Sequence, residues 1–217
     1  MGEKLKYTDI LFDMDGTLNE SGPGIIASFK YAMNKLNMPL ADDADLNFVI
    51  GPPLDFSFKK LNVDKENIKT AISYYRDFFT KEGMYINSVY DGIEDVLKEL
   101  IQRGYTLHIA TSKPDILTKE ILIHFDLLKY FNFIAACTMD EKRTTKDEVI
   151  AYALENLSHI DKSNILMIGD RYHDIEGAKI NGIDSMGVLY GYGDRAELEN
   201  AGADYIAQTP KDILNFL

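Results

Sequence analysis

The chain has 217 residues, of which 46% are hydrophobic and 27% charged, the composition of a folded globular protein with one or two domains. The net charge of −12 argues against a nucleic acid polymer as partner, since such binding needs a basic surface. No apolar run approaches the ~20 residues that cross a bilayer, no apolar signal region follows the polar start, and the one cysteine, Cys137, excludes an internal disulfide. We therefore expect no membrane partner and a cytoplasmic location.

The first predicted strand, residues 9–13, leads into the stretch Asp13-Met14-Asp15-Gly16-Thr17-Leu18. Alternate residues of a strand point the same way, so the carboxylates of Asp13 and Asp15 are predicted to share a face, and Gly16 permits a sharp turn. One carboxylate could act as nucleophile and the other move a proton, with a divalent cation holding both near a phosphate dianion. Taken alone, Asp-Gly is also a common turn pair.

The next segment has a helical pattern only, with predicted helices at 24–36, 43–50, 53–61 and 65–81. Because it interrupts an alternation of strands and helices, we interpret residues 19–85 as an inserted helical cap domain within a core formed by 1–18 and 86–217. Gly22-Pro23-Gly24 and Gly83 are predicted hinge positions. Gly51, Pro52 and Pro53 are candidates for a loop that contacts substrate, although proline also favours a simple helix start.

The second half of the chain alternates predicted strands and helices. The strands are 106–111, 133–138, 164–169, 185–189 and 205–207, and the helices are 93–102, 115–124, 146–157, 174–181 and 195–200. This alternation predicts an α/β fold, a doubly wound, Rossmann-like parallel sheet covered on both faces. In such sheets ligands bind beyond the carboxyl ends of the strands. Gly191-x-Gly193, near the end of the chain, is typical of a turn.

Polar side chains follow two of these strands. Thr111 and Ser112 come at the end of the strand 106–111, where a hydroxyl and exposed amides could hold phosphate oxygens or cap the following helix. Lys146 follows the strand 133–138 and could neutralise a phosphate. The sequence does not distinguish Lys146 from Lys142 or Arg143, and a charge run of this kind is often simply solvated.

Two further carboxylates follow the strand 164–169 in the stretch Gly169-Asp170-Arg171-Tyr172-His173-Asp174. Asp170, directly after the strand, could ligate Mg²⁺, which prefers hard oxygen ligands. The same pair of residues, Asp170 and Asp174, would also be favourable near the N-terminus of a helix without any metal.

These four motifs, each at a strand end and in this order, resemble those of the haloacid dehalogenase superfamily of aspartate-nucleophile phosphatases, over essentially the whole chain. The resemblance implies that Asp13 is the nucleophile, that Asp15 is the acid and base, and that one Mg²⁺ is held by the Asp13 carboxylate, the Asp15 carbonyl and Asp170. It also implies that Thr111, the Ser112 amide and Lys146 bind the phosphate, while Asp174 orients Lys146 or a metal-bound water.

Within that superfamily the chain resembles the phosphoglycolate-phosphatase-like branch. The matching stretches are Ile50-Gly51-Pro52-Pro53-Leu54, Tyr90-Asp91-Gly92, Thr111-Ser112-Lys113-Pro114 and Gly187-Val188-Leu189-Tyr190-Gly191-Tyr192-Gly193. Many members have a proline after the third-motif lysine, but here Asp147 follows Lys146. The arrangement Arg143-x-x-Lys146-x-Glu148-Val149-Ile150 resembles bacterial members assigned as 5′-nucleotidases. We expect a small phosphorylated metabolite as substrate. A sugar-phosphate mutase and a non-catalytic interaction protein are the alternatives, and the sequence predicts no oligomeric state.

Overall fold

The computed structural model describes residues 6–138, 143–157 and 161–217. The chain divides into two compact units: unit 1 comprises Met1–Asn19 and Val89–Leu217, and unit 2 comprises Glu20–Ser88. Two short strands, β2 (Asn19–Glu20) and β3 (Ser88–Val89), pair with each other where the chain leaves and re-enters unit 1. In the described part of the chain, no helix combines the length and apolarity that a bilayer crossing requires.

Unit 1 contains a parallel sheet with the strand order β5-β4-β1-β6-β7-β8. Its strands are β1 (Asp9–Phe12), β4 (Thr106–Pro114), β5 (Phe133–Cys137), β6 (Ile165–Gly169), β7 (Asp184–Val188) and β8 (Tyr205–Ala207). Every residue of β1 and β6 is buried, as expected for central strands covered on both faces. The predicted doubly wound α/β fold is confirmed. The order reverses between β1 and β6, where such sheets bind ligands.

Five helices of unit 1 are described: α4 (Ile93–Gln102), α5 (Asp115–His124), α6 (Lys146–Asn156), α7 (Tyr172–Asn181) and α8 (Arg195–Ala201). The helices α4 and α5 have the predicted bounds, and α7 begins two residues earlier than predicted. Gly182 ends α7 in the left-handed conformation, with φ 70°, which glycine adopts without steric cost.

Unit 2 contains α1 (Gly22–Lys35), α2 (Leu54–Lys60) and α3 (Ile68–Lys81). Its core is aromatic: Phe29 lies 4.7 Å from Phe58 and 4.9 Å from Tyr75 between ring centroids. The helix predicted at 43–50 is wrong, because only Asn47–Val49 forms a 3-10 turn. The Asp45 carboxylate there accepts a hydrogen bond from the Asn47 amide, a local bond that competes with helix formation.

The residues of the predicted hinge at Gly22-Pro23-Gly24 form the first turn of α1, and their role as a hinge stays a prediction. Proline is well tolerated in a first turn. Gly24 serves packing within unit 2, since a Cβ atom there would lie 1.9 Å from the Gly83 carbonyl oxygen. The absence of a side chain at Gly24 therefore allows two backbone segments to approach each other closely.

Candidate active site

Asp13 and Asp170 follow the two neighbouring central strands, β1 and β6. The Asp13 amide donates to the Ile168 carbonyl at 2.9 Å, so the parallel pairing of β1 with β6 continues as far as Asp13. Oxygen atoms of Asp13, Asp170 and Asp174 all lie within 4.8 Å of one another. Three carboxylates this close present the hard oxygen ligands that a divalent cation prefers.

The Asp170 carboxylate is fully buried, and its two oxygens differ. Oδ2 accepts a hydrogen bond from the Tyr192 amide at 2.8 Å, whereas Oδ1 has no hydrogen-bond partner among the described residues. Burial, followed by the charges of Asp174 and Asp13, raises the pKa of Asp170 well above its ordinary value. A buried carboxylate oxygen without a partner is costly, and a divalent cation would supply that partner.

Lys146, the first residue of α6, joins two of these carboxylates. Its Nζ lies 2.7 Å from Asp13 Oδ1 and 2.7 Å from Asp174 Oδ1, and it also donates to the Ala110 carbonyl at 3.0 Å. Burial alone would lower the pKa of Lys146, but the charges of Asp13 and Asp174 outweigh burial and raise it. The lysine is therefore held as a buried cation against the acidic cluster.

The other two basic residues considered for this position differ from Lys146. The Arg143 guanidinium lies over the Tyr152 ring, 4.0 Å from its centroid, and its Nε donates to the Ala136 carbonyl. Lys142 lies outside the described residues. Between the two described candidates, the structure brings Lys146 to the carboxylates.

Asp15 forms an ion pair with a residue that the sequence analysis did not single out. Lys113 Nζ lies 2.9 Å from Asp15 Oδ2, and their side chains are only 7% and 19% exposed. The available signal was the third residue of Thr111-Ser112-Lys113, a cation at a strand end. Its partner lies 98 positions away in the sequence, so spacing alone does not indicate the pair.

The pKa of Asp13 reflects all of these neighbours. Burial raises it, Lys146 lowers it, and the charges of Asp174 and Asp15 raise it further, to about 6. Asp13 is consequently ionised near neutral pH, yet it has little contact with water. A carboxylate in that state is suited to act as a nucleophile.

The remaining predicted residues lie as follows. Thr111 is buried near the end of β4, where the pairing with β5 is irregular, and its hydroxyl oxygen accepts from the Lys113 amide at 3.3 Å. Ser112 is half-buried in the same irregular stretch. In unit 2, Gly51 has φ 99° and Pro53 directly precedes α2, so this segment does lead into a helix. Phosphate binding and substrate contact by these residues stay predictions.

Comparisons with known proteins identify a family and several individual proteins that are similar to this chain. A family model described as haloacid dehalogenase-like hydrolase matches residues 10–188. A 5′-nucleotidase of Pseudomonas aeruginosa is 40% identical over 195 residues, which is 89% of this chain and 88% of that protein. The tyrosine-protein kinase PtkA of Mycobacterium tuberculosis is 34% identical over 205 residues, 94% of this chain and 67% of that protein. A crystal structure of a predicted phosphatase from Clostridium acetobutylicum superimposes with a TM-score of 0.89 at 46% identity, covering 98% of this chain and all of that one.

Proposed function

Since the chain belongs to the haloacid dehalogenase-like hydrolases, we propose that it is a Mg²⁺-dependent phosphomonoester hydrolase that acts on a small phosphorylated metabolite. The observation that carries this proposal is the carboxylate cluster of Asp13, Asp170 and Asp174, with Lys146 bonded to two of its members. Together with Asp15, four carboxylates face the two ammonium groups of Lys113 and Lys146. When all are ionised, two negative charges remain, which one divalent cation neutralises.

In the proposed reaction the Asp13 carboxylate attacks the phosphorus in line. A bond forms between Asp13 and phosphorus as the ester bond breaks, which gives an aspartyl-phosphate. Asp15 enters this step protonated, gives its proton to the leaving oxygen and becomes a carboxylate. That carboxylate then takes a proton from the water that attacks the phosphorus, which breaks the bond to Asp13 and releases phosphate. The contact with Lys113 holds the Asp15 carboxylate in one orientation, which supports the second of these steps, in which Asp15 acts as the base.

The proposed Mg²⁺ would be held by the carboxylates of Asp13 and Asp170 and by the main-chain carbonyl of Asp15. When bound, it offsets the repulsion between the Asp13 carboxylate and the phosphate dianion. Lys146, Thr111 and the Ser112 amide would bind the remaining phosphate oxygens, since donors already in place stabilise charge that develops in the transition state.

Asp174 would act through Lys146. The resemblance implies that Asp174 orients either Lys146 or a metal-bound water, and the 2.7 Å contact with Lys146 supports the first of these roles. Without Asp174, the ammonium group would lose one of the two carboxylates that fix its position.

The substrate is proposed from the relatives and from unit 2. A nucleoside monophosphate is the first candidate, because the relative named 5′-nucleotidase is similar over most of this chain. Phosphoglycolate is the second, because the sequence resembles the phosphoglycolate-phosphatase-like branch. We propose that unit 2 acts as a cap domain and that Gly51, Pro52 and Pro53 contribute to substrate choice, so that variants at these positions should change the relative kcat/KM between substrates.

The test is Mg²⁺-dependent phosphate release from nucleoside monophosphates, phosphoglycolate, sugar phosphates and pyrophosphate. Asp13→Asn keeps the shape of the side chain and removes the nucleophile, so we expect activity to fall by about 10³-fold or more. Asp95→Asn, at an exposed aspartate of α4, is the matched control and should retain activity.

Three results would overturn parts of the proposal. Full activity in Asp13→Asn would show that the nucleophile is wrong. Isomerisation of a sugar phosphate without net phosphate release would identify a mutase instead. Absence of turnover on every member of the panel would favour a non-catalytic interaction protein.

A further inference from the structure

The chain after β7 continues as Tyr190-Gly191-Tyr192-Gly193, which we call the glycine segment. It plays no part in the proposed chemistry, yet it contacts the proposed metal ligand Asp170. The Tyr192 amide donates to Asp170 Oδ2 at 2.8 Å. The Tyr190 hydroxyl donates to the Thr17 carbonyl at 3.1 Å, which ties the segment to the loop that carries Asp13 and Asp15.

Neither glycine of this segment leaves room for a side chain. A Cβ atom on Gly191 would lie 2.2 Å from the Gly16 carbonyl oxygen and 2.4 Å from Asp170 Cβ, and one on Gly193 would lie 2.1 Å from the Asp170 carbonyl oxygen. Neither glycine has a positive φ, so their backbone conformation is open to any residue. What forbids a side chain is the closeness of Asp170 and, at Gly191, also of the Gly16 carbonyl oxygen.

Gly16, in the loop after β1, lies close to the same carboxylate. A Cβ atom on Gly16 would lie 2.1 Å from Asp170 Oδ2. The carboxylate therefore lies in a slot formed by Gly16 and Gly191, with Oδ2 bonded to a backbone amide, while Gly193 lies against the main chain of Asp170. Oδ1, the buried oxygen without a hydrogen-bond partner in the described part of the chain, is left for a cation.

We propose that the glycine segment is a positioning element for the metal: it fixes the Asp170 carboxylate in the single orientation that presents Oδ1 to the cation. The proposal rests on the proposed function, because it assumes that Asp170 is a metal ligand. Groups that hold a metal ligand in place usually contribute 10- to 100-fold to metal affinity. A methyl group at Gly191 must displace either Asp170 or the Gly16 loop, and both belong to the site.

The experiment is calorimetric titration of Mg²⁺ into the metal-free, full-length protein. Gly191→Ala is expected to weaken Mg²⁺ binding by about 10- to 100-fold, and Asp170→Asn by at least as much. Gly202→Ala is the matched control. Gly202 has φ 91° and its Cβ would meet nothing closer than 3.6 Å, so alanine there strains the backbone at the end of α8 but should leave Mg²⁺ affinity within twofold of wild type.

The outcomes separate this inference from the proposed function. If wild type binds no Mg²⁺, the metal dependence in the proposed function fails. If wild type binds and Asp170→Asn does not, but Gly191→Ala binds within twofold of wild type, the positioning role alone is wrong.

A second variant covers the case in which Gly191→Ala does not fold. Tyr190→Phe removes only the hydroxyl bond to the Thr17 carbonyl, and the ring can keep its edge-on contact with Tyr90, 5.1 Å between centroids. We expect about a threefold or larger loss of Mg²⁺ affinity with a normal circular dichroism spectrum. Unchanged affinity in this variant would overturn the role assigned to the segment.

Discussion

At the scale of single residues, the site depends on two opposing free energies: the cost of burying the charges of Asp13 and Lys146, and the attraction between those charges. Removing both from water costs several kcal/mol per ion, and their attraction offsets this only when the geometry is good. Contacts of 2.7 Å to Asp13 and to Asp174 meet that requirement. Asp13 still has a pKa of about 6, since burial outweighs the single lysine that it shares with Asp174.

This pKa makes metal binding dependent on pH. Below about pH 6 a proton occupies Asp13 and must leave before the cation binds, so we expect the apparent Kd for Mg²⁺ to be about tenfold higher at pH 5 than at pH 7. Asp170, whose pKa is also raised, adds to the effect in the same direction. Calorimetric titration at pH 5, 6 and 7 measures it.

The control for this pH dependence is Asp13→Asn, which should bind Mg²⁺ more weakly with a flatter pH profile. The raised pKa of Asp13 also determines how the stability of the metal-free fold changes with pH. A raised carboxyl pKa stabilises the metal-free fold below the unfolded pKa near 4, and this contribution is lost as the pH rises through about 6. Equal Mg²⁺ affinity at pH 5 and pH 7 would contradict the assignment of Asp13 as a ligand.

At the scale of elements, the start of α6 decides where Lys146 lies. Thr145 is extended, with φ −96° and ψ 153°, and its amide donates to the Glu148 carboxylate at 3.3 Å. This bond satisfies a backbone donor that the helix cannot satisfy itself. The helix thus begins at a fixed residue, and Lys146 enters the site from its first position.

Glu148→Ala should therefore lower the free energy of unfolding by about 1 kcal/mol and reduce activity through Lys146. Glu155→Ala is the matched control: Glu155 is exposed in the last turn of the same helix, where an acidic side chain opposes the helix dipole. We expect that change to be neutral or slightly stabilising. Urea denaturation of both variants measures the difference, and equal destabilisation would show that the cap at Thr145 has no particular role.

Local pattern predicted the elements better than it predicted the site. The helices α4 and α5 have the predicted bounds, because helical periodicity and flanking Gly92, Gly104 and Pro114 are signals within a few residues. The pair formed by Lys113 and Asp15 depends on two strand ends meeting in space. In the sequence, Gly191-x-Gly193 indicates only a turn. The room that it leaves for Asp170 depends on a strand that precedes it by about twenty positions, so a local pattern does not reveal it.

At the scale of the whole molecule, one sheet topology collects residues from four distant segments. The order β5-β4-β1-β6 brings the chain after β1, β4 and β6 to the same edge, and α6 delivers Lys146 there. Alternation in the sequence predicts a parallel sheet, but it does not specify which strands are neighbours. The pairing of β1 with both β4 and β6 is therefore a finding of the structure.

Because the site concentrates acidic groups, we expect the stability of the fold to depend on whether Mg²⁺ is bound. A cation that binds only the folded state stabilises it by mass action, so Mg²⁺ at ten times its Kd should add about 1.4 kcal/mol to the free energy of unfolding. The chain also carries a net charge of −12, whose self-repulsion any salt screens. Thermal unfolding in MgCl₂ must therefore be compared with NaCl at equal ionic strength. We expect a higher Tm in MgCl₂ for wild type and at most about a third of that difference for Asp170→Asn. An equal rise in both salts would mean that screening, and not occupation of the carboxylate cluster, stabilises the protein.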